Sequence, residues 1–305
     1  MSCEQCTQGY ILPGEPAGTM VDGAYFHAGP EGSDKSKAIV LLTDVFGLPL
    51  KNNKINADEL SKRVGCDVWV PDLFAGEPVT LSSTRHVRPD DWTAGDPPVT
   101  VDELEPLLPD RPGQKMGFTA KLRFIWLLLT RGYRLFGVRA SVVDPRVTET
   151  ASLISVDRQF VTKLRKEKGY AKIGAAGYCF GGSIAARLGS TDVFDSVVIL
   201  HPGTVTIEQI KAIKKPASWA CAEEDMSFKK DLRDEAEAAF AARKDKPDYV
   251  EYEFKDYKGT LFFEFVSSHD TDPVVARPNL AIPEIVEAYN AALEQTAAWL
   301  KKTLV

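Results

Sequence analysis

The residues with the most pointed chemistry in this chain are Gly177-Tyr178-Cys179-Phe180-Gly181-Gly182. A Gly-x-nucleophile-x-Gly run calls for a strand in front of it, a sharp turn at its centre and a helix behind it. Residues 171–176 read as a buried strand, and 183–188 have the Ala and Leu content of a helix. Small residues suit such a turn because it is strained and brings backbones close together. A thiol at Cys179 sits near a helix N-terminus, whose partial positive charge favours thiolate, the form that attacks a carbonyl carbon. The alternative is a buried structural cysteine in a Gly-rich turn, since free Cys is among the most buried residue types. Cys3 and Cys6 form a Cys-x-x-Cys, but without a second ligand pair or a strand-helix context. They read as a solvated, reduced pair rather than a metal site or redox motif.

Positioning a reactive thiol requires a rigid frame, and the pattern around Cys179 supplies one. The continuous apolar run 38–43 suits a strand buried on both faces. A helix follows over 52–64, with Ile55, Ala57 and Leu60 among polar residues, and a second strand over 68–70 is stopped by Pro71-Asp72. Strand, helix, strand at this spacing is a βαβ unit. A short strand is expected at 24–27, with His27 as a surface residue before Gly29-Pro30. The Pro-, Asp-, Thr- and Ser-rich stretch 76–100, which holds His86, reads as a long surface loop. A helix over 117–136 is placed to cover the site, and an amphipathic helix over 146–168 leads to the strand before Cys179. Further strands are expected at 196–201, 217–221 and 249–257, with helices at 227–243 and 282–302. Alternating strands and helices imply a mostly parallel central sheet with helices on both faces.

Composition bounds the partners. With 44% hydrophobic and 26% charged residues, the 305-residue chain is long enough to bury a sizeable core. A net charge of −6 argues against nucleic acid and anionic membrane surfaces. The most apolar helical run, 122–130, is interrupted by Arg123 and falls short of the roughly 20 residues that span a bilayer. An odd set of five cysteines without framework spacing fits a reducing compartment, and the polar N-terminus does not read as a signal peptide. The expected location is therefore cytoplasmic. Oligomeric state is not legible.

Taken in order, the motifs resemble the dienelactone hydrolase family of the α/β-hydrolase superfamily, in its fungal-type branch. They are Thr43-Asp44-Val45-Phe46-Gly47, Val70-Pro71-Asp72-Leu73-Phe74-Ala75-Gly76, the Cys179 run, His201-Pro202, Ala222-Glu223-Glu224-Asp225, Tyr257-Lys258-Gly259-Thr260 and Ala276-Arg277-Pro278-Asn279. The order nucleophile, acid, late histidine is that of α/β-hydrolases. The resemblance implies an α/β-hydrolase domain over 36–305, preceded by an N-terminal extension and first strand region over 1–35. It implies Cys179 as nucleophile, Asp225 as the acid orienting the catalytic histidine, and Asp44 as the acidic neighbour of the thiol. The backbone amides of Val45 and Phe180 match the oxyanion hole, and Arg277 matches an arginine that binds a substrate carboxylate in some members. Structural alternatives are a turn-closing role for Asp44, a helix-start charge for Asp225 and a surface ion pair for Arg277. His201 matches a common family residue other than the catalytic one and reads as structural. The implied activity is hydrolysis of a small ester or lactone, with no metal or organic cofactor.

One family feature is displaced. The catalytic histidine belongs in a Gly-Thr-x-His segment, and this chain has Gly259-Thr260-Leu261-Phe262, so Phe262 holds the histidine slot. The spacing from Gly259 to Arg277 is longer than in the family pattern, and the nearby imidazole is His269. Three readings stand: His269 takes over as base, the chain is a catalytically impaired scaffold that binds a ligand or partner, or residues 261–276 are altered by a gene-model error. A thiol redox protein using Cys3 and Cys6 is a weaker, separate reading.

Overall fold

The apolar run that begins at Ala38 forms an interior strand of an eight-stranded sheet. The computed structural model describes residues 12–44, 47–74, 117–130, 150–225, 227–262 and 282–305. The strands are β1 (Thr19–Val21), β2 (Ala24–His27), β3 (Lys37–Leu42), β4 (Asp67–Val70), β5 (Lys172–Tyr178), β6 (Ser196–Leu200), β7 (Ala217–Asp225) and β8 (Tyr252–Phe262). Their order across the sheet is β1-β2-β4-β3-β5-β6-β7-β8. The first two pairings are antiparallel and every pairing from β4 to β8 is parallel. Each parallel neighbour needs a crossover, and the crossovers supply the covering helices.

The described helices are α1 (Lys51–Val64), α2 (Phe118–Thr130), α3 (Thr150–Lys168), α4 (Phe180–Leu188), α5 (Ile207–Lys211), α6 (Lys230–Ala241) and α7 (Pro283–Thr303). Side chains of β3 alternate between two cores, as the period of a strand requires. Ala38, Val40 and Leu42 pack with residues of α3, α4 and α6, whereas Ile39 and Leu41 pack with residues of α1 and α7. The sheet is thus covered on both faces, the α/β arrangement expected from the alternating pattern. Along α7, Ile285, Ala288, Leu293 and Ala297 are all buried. Among the described residues, no helix is long and apolar enough to cross a membrane.

Several details differ from expectation. Helix α1 buries Asn52, Asn53, Asn56, Asp58 and Ser61 beside Ala57 and Leu60. These polar side chains clip loops and neighbouring helices rather than facing water: Asn52 accepts from the Leu12 amide at 2.9 Å, and Tyr289 donates to Asn56 at 2.7 Å. His27 is half-buried rather than a surface residue, with Nε2 3.9 Å from the Asp58 carboxylate. Strand β7 runs on to Asp225 instead of ending at Cys221, because β8 continues alongside it to Phe262 after a bulge at Ala222/Glu224. β1 and α5 were not expected. α5 starts with Thr206 and Gln209 capping each other reciprocally, a local signal that its short apolar content obscures.

Candidate active site

The strand–turn–helix around Cys179 forms as its glycines require. β5 ends at Tyr178 and α4 starts at Phe180, so the whole reversal falls on Cys179, with φ 53° and ψ −112°. A non-glycine residue in that region is strained and persists only where its surroundings fix it. Four backbone hydrogen bonds do so. The Cys179 amide donates to Leu200 O at 3.1 Å, and its carbonyl accepts from Ser183 at 3.1 Å and Gly203 at 3.0 Å. The Gly181 amide donates to Thr43 O at 3.0 Å, stitching the first turn of α4 to the end of β3. A Cβ on Gly177 would run into the backbone of Gly181, and one on Gly181 into the carbonyl of Leu42. Both glycines are therefore demanded by close approach.

Parallel strands bring their carboxyl ends to one edge, and the candidate residues gather there, as ligand sites of open α/β sheets do. Asp44 follows β3, Cys179 follows β5, His201 follows β6, and Asp225 closes β7. Cys179 is 6% exposed, Asp44 2% and Asp225 7%, so each is recessed. Asp225 Oδ1 accepts from the amides of Ser227 at 2.8 Å and Phe228 at 2.7 Å. Two amide donors hold the carboxylate in one orientation. β6 lies between β5 and β7, and the register across the three strands sets Cys179 level with Cys221, four residues before Asp225.

Asp44 is fixed from another direction. Asn53, wholly buried on the first turn of α1, donates from Nδ2 to Asp44 Oδ1 at 3.2 Å and to Gly47 O at 2.9 Å. The Gly47 amide donates back to Asp44 O at 3.2 Å, with Gly47 at φ 64°. The Phe180 ring, 7% exposed, packs on Phe74 with centroids 5.6 Å apart. His201 is fully buried at φ 34°, its ring 6.2 Å from that of Tyr178. Burial pushes its imidazole down to about 3, so it stays neutral wherever an enzyme works. That supports the structural reading of His201.

Burial pushes the Cys66 thiol up to about 12 and raises Cys221 further still, which leaves both inert near neutrality. Among the described residues no group of His, Cys, Asp and Glu is arranged to hold a metal ion. Val45, His269 and Arg277 lie outside the described residues, as do Cys3, Cys6 and His86. The structure thus brings Asp44, Cys179, Phe180 and Asp225 to one edge. Sequence reasoning missed Asn53: as one of several polar residues on a helix it gave no signal, and only its place at the first turn beside the Asp44 motif could have pointed to it.

Comparison with known proteins agrees with the fold. The model of the dienelactone hydrolase family matches residues 24–304. Among curated proteins, hydrolase pyvD of Aspergillus violaceofuscus is 26% identical over 240 residues, covering 77% of this chain and 76% of that protein. Hydrolase tropI of Talaromyces stipitatus is 26% identical over 231 residues, covering 75% and 73%. Among solved structures, a dienelactone hydrolase-like promiscuous phosphotriesterase from metagenomic libraries aligns with TM-score 0.52 at 14% identity, covering 92% of each chain. A thermostable esterase from Pseudomonas putida ECU1011 aligns with TM-score 0.50 at 14% identity, covering 92% of this chain and 79% of that one. At such identities the structural likeness speaks for the α/β-hydrolase fold.

Proposed function

The chain belongs to the dienelactone hydrolase family, and from that premise we propose that it hydrolyses small esters or lactones with Cys179 as nucleophile. The observation that carries this reading is the strained φ of Cys179 at the apex between β5 and α4. Such an apex lifts a side chain out of the sheet edge toward a substrate. In the proposed scheme the Cys179 thiolate adds to the carbonyl carbon, and the resulting oxyanion is met by the amides of Phe180 and Val45. Donors so placed act on charge that develops only in the tetrahedral intermediate. Collapse expels the alkoxide, which takes up the proton that the imidazole removed from the thiol. Water then attacks the thioester, the imidazole accepts its proton, and the thiol is regenerated as the acid leaves.

We assign the imidazole to His269, with Asp225 as the group that orients it, and Arg277 to a substrate carboxylate. The scheme calls for no metal or organic cofactor. A second reading, an acylatable scaffold that does not turn over, is favoured by one specific observation. The residue in register with Asp225 on β8 is Phe262, the position where the family pattern has its histidine. Steady-state and single-turnover hydrolysis of an activated aryl ester separates the two. Turnover lost in both Cys179→Ala and His269→Ala supports His269 as base. A single acyl burst, converted to turnover when residues 261–276 are replaced by a histidine-containing segment of family type, supports the scaffold. No activity before or after replacement removes the hydrolase reading.

A further inference from the structure

We propose that Arg233 is a positioning residue for Asp225: it clasps the overhanging end of β7, so that the carboxylate stands at a fixed height and direction beyond the sheet edge. This rests on the reading of Asp225 as the acid that orients the catalytic imidazole. β7 is paired with β6 only as far as Ala220 opposite Leu200, whereas Asp225 lies further along the strand. Beyond that point the sheet holds β7 from the β8 side alone. That side is itself interrupted: between Ala222↔Tyr257 and Glu224↔Leu261, β8 takes a longer path than β7. A bulge of this kind takes backbone groups out of the ladder, and buried backbone groups must find partners elsewhere.

Side chains supply those partners. The Glu223 amide donates to the Thr260 hydroxyl at 3.1 Å. Arg233, 6% exposed on the first turn of α6, donates from Nη1 to Ala222 O at 2.6 Å and, in a longer contact, from Nη2 to Glu223 O at 3.4 Å. Nη1 also donates to the Asp256 carboxylate on β8 at 2.8 Å. The hydrogen bonds of Arg233 thus fix the backbone behind Asp225, while the Ser227 and Phe228 amides fix its carboxylate from ahead. Phe228 is in turn wholly buried, its ring stacked on Trp219 of β7 with centroids 5.1 Å apart. Stability alone is a poor reason for a buried cation, since apolar replacements of buried ion pairs are often neutral. What the guanidinium adds is direction, two carbonyls held by one rigid plane. Misplacing a catalytic group by about 1 Å costs on the order of a hundredfold in rate.

The test is steady-state hydrolysis of p-nitrophenyl acetate by the full chain, by Arg233→Met and by Arg233→Lys, whose ammonium lacks the planar fork. Each substitution is also placed in an Asp225→Asn background, with thermal midpoints recorded throughout. The imidazole serves acylation and deacylation alike, so both rates fall together and KM holds. The expected result is a loss of about tenfold in kcat for either Arg233 variant, with KM within about twofold of the parent. With Asp225→Asn already present, the further loss is less than about twofold. The Lys variant carries the comparison if Met, which leaves two carbonyls without their donor, unsettles the fold. An equal fractional loss in both backgrounds makes Arg233 merely structural and overturns the proposal, as does an unchanged kcat. A parent chain without turnover, or one whose turnover survives Asp225→Asn, fails differently: it removes Asp225 as the orienting acid, and the role of Arg233 with it.

Discussion

At the scale of single residues, the site is a set of groups each held by its own local bonds before any substrate arrives. Asp225 illustrates the point. Its Oδ1 is bound by two backbone amides, so the carboxylate is aimed without help from the base it is assigned to orient. Asp225→Asn keeps an oxygen for those amides but gives up the charge that stabilises an imidazolium. The expected outcome is a fall in kcat of roughly a hundredfold with the thermal midpoint within a few degrees of the parent. Parallel steady-state assays and melting curves check it; a large drop in midpoint would instead mark Asp225 as a structural cap. Cys179 and Asp225 stood in motifs whose spacing has a mechanical reason, whereas Asn53 did not. Its role depends on a fold that brings the first turn of α1 against the end of β3, and no local pattern encodes that contact.

At the scale of elements, the strand–turn–helix works because three pieces of backbone meet without side chains between them. Gly181 lies against the end of β3, and a methyl group there would strike the Leu42 carbonyl. Gly181→Ala is expected to cost about 1–3 kcal/mol and to slow both Cys179 alkylation and ester hydrolysis, since relief of the clash separates α4 from β3. Denaturant titration and the labelling assay test this together; stability reduced with unchanged reactivity would contradict it. The major elements were legible because their periodicity is strong: the apolar runs at β3 and β6 have the content of fully buried strands. The ends were less so. β7 continues through charged Glu223 and Glu224 because pairing with β8 and the bulge between them set its length, and hydrophobicity does not. α1 hid its buried face for a related reason, its polar side chains being occupied by loop amides and by Tyr289.

At the scale of the whole molecule, the sheet is a single hydrogen-bonded body with the candidate site along its carboxyl edge. Its stability is linked to pH through His201. Burial depresses that imidazole to about 3, against an ordinary value of 6.5. The unfolded chain therefore binds a proton that the folded chain refuses, and the stability present above about pH 6.5 is lost as pH falls toward 3. The expected loss between pH 7 and pH 5 attributable to His201 is about 2 kcal/mol. Urea unfolding of the parent and of His201→Asn at the two pH values measures it, and equal pH dependence in both would contradict it. The α/β architecture was readable from alternating strands and helices, and two-sided burial follows from it. What the alternation could not convey is which side chains meet across the two cores. The most direct test of the central claim is rapid-mixing hydrolysis of an activated aryl ester, followed by intact-mass measurement of the quenched protein. The account predicts a burst of one acyl group per chain, carried on Cys179 and absent in Cys179→Ala. Aryl ester hydrolysis undiminished in Cys179→Ala would contradict it.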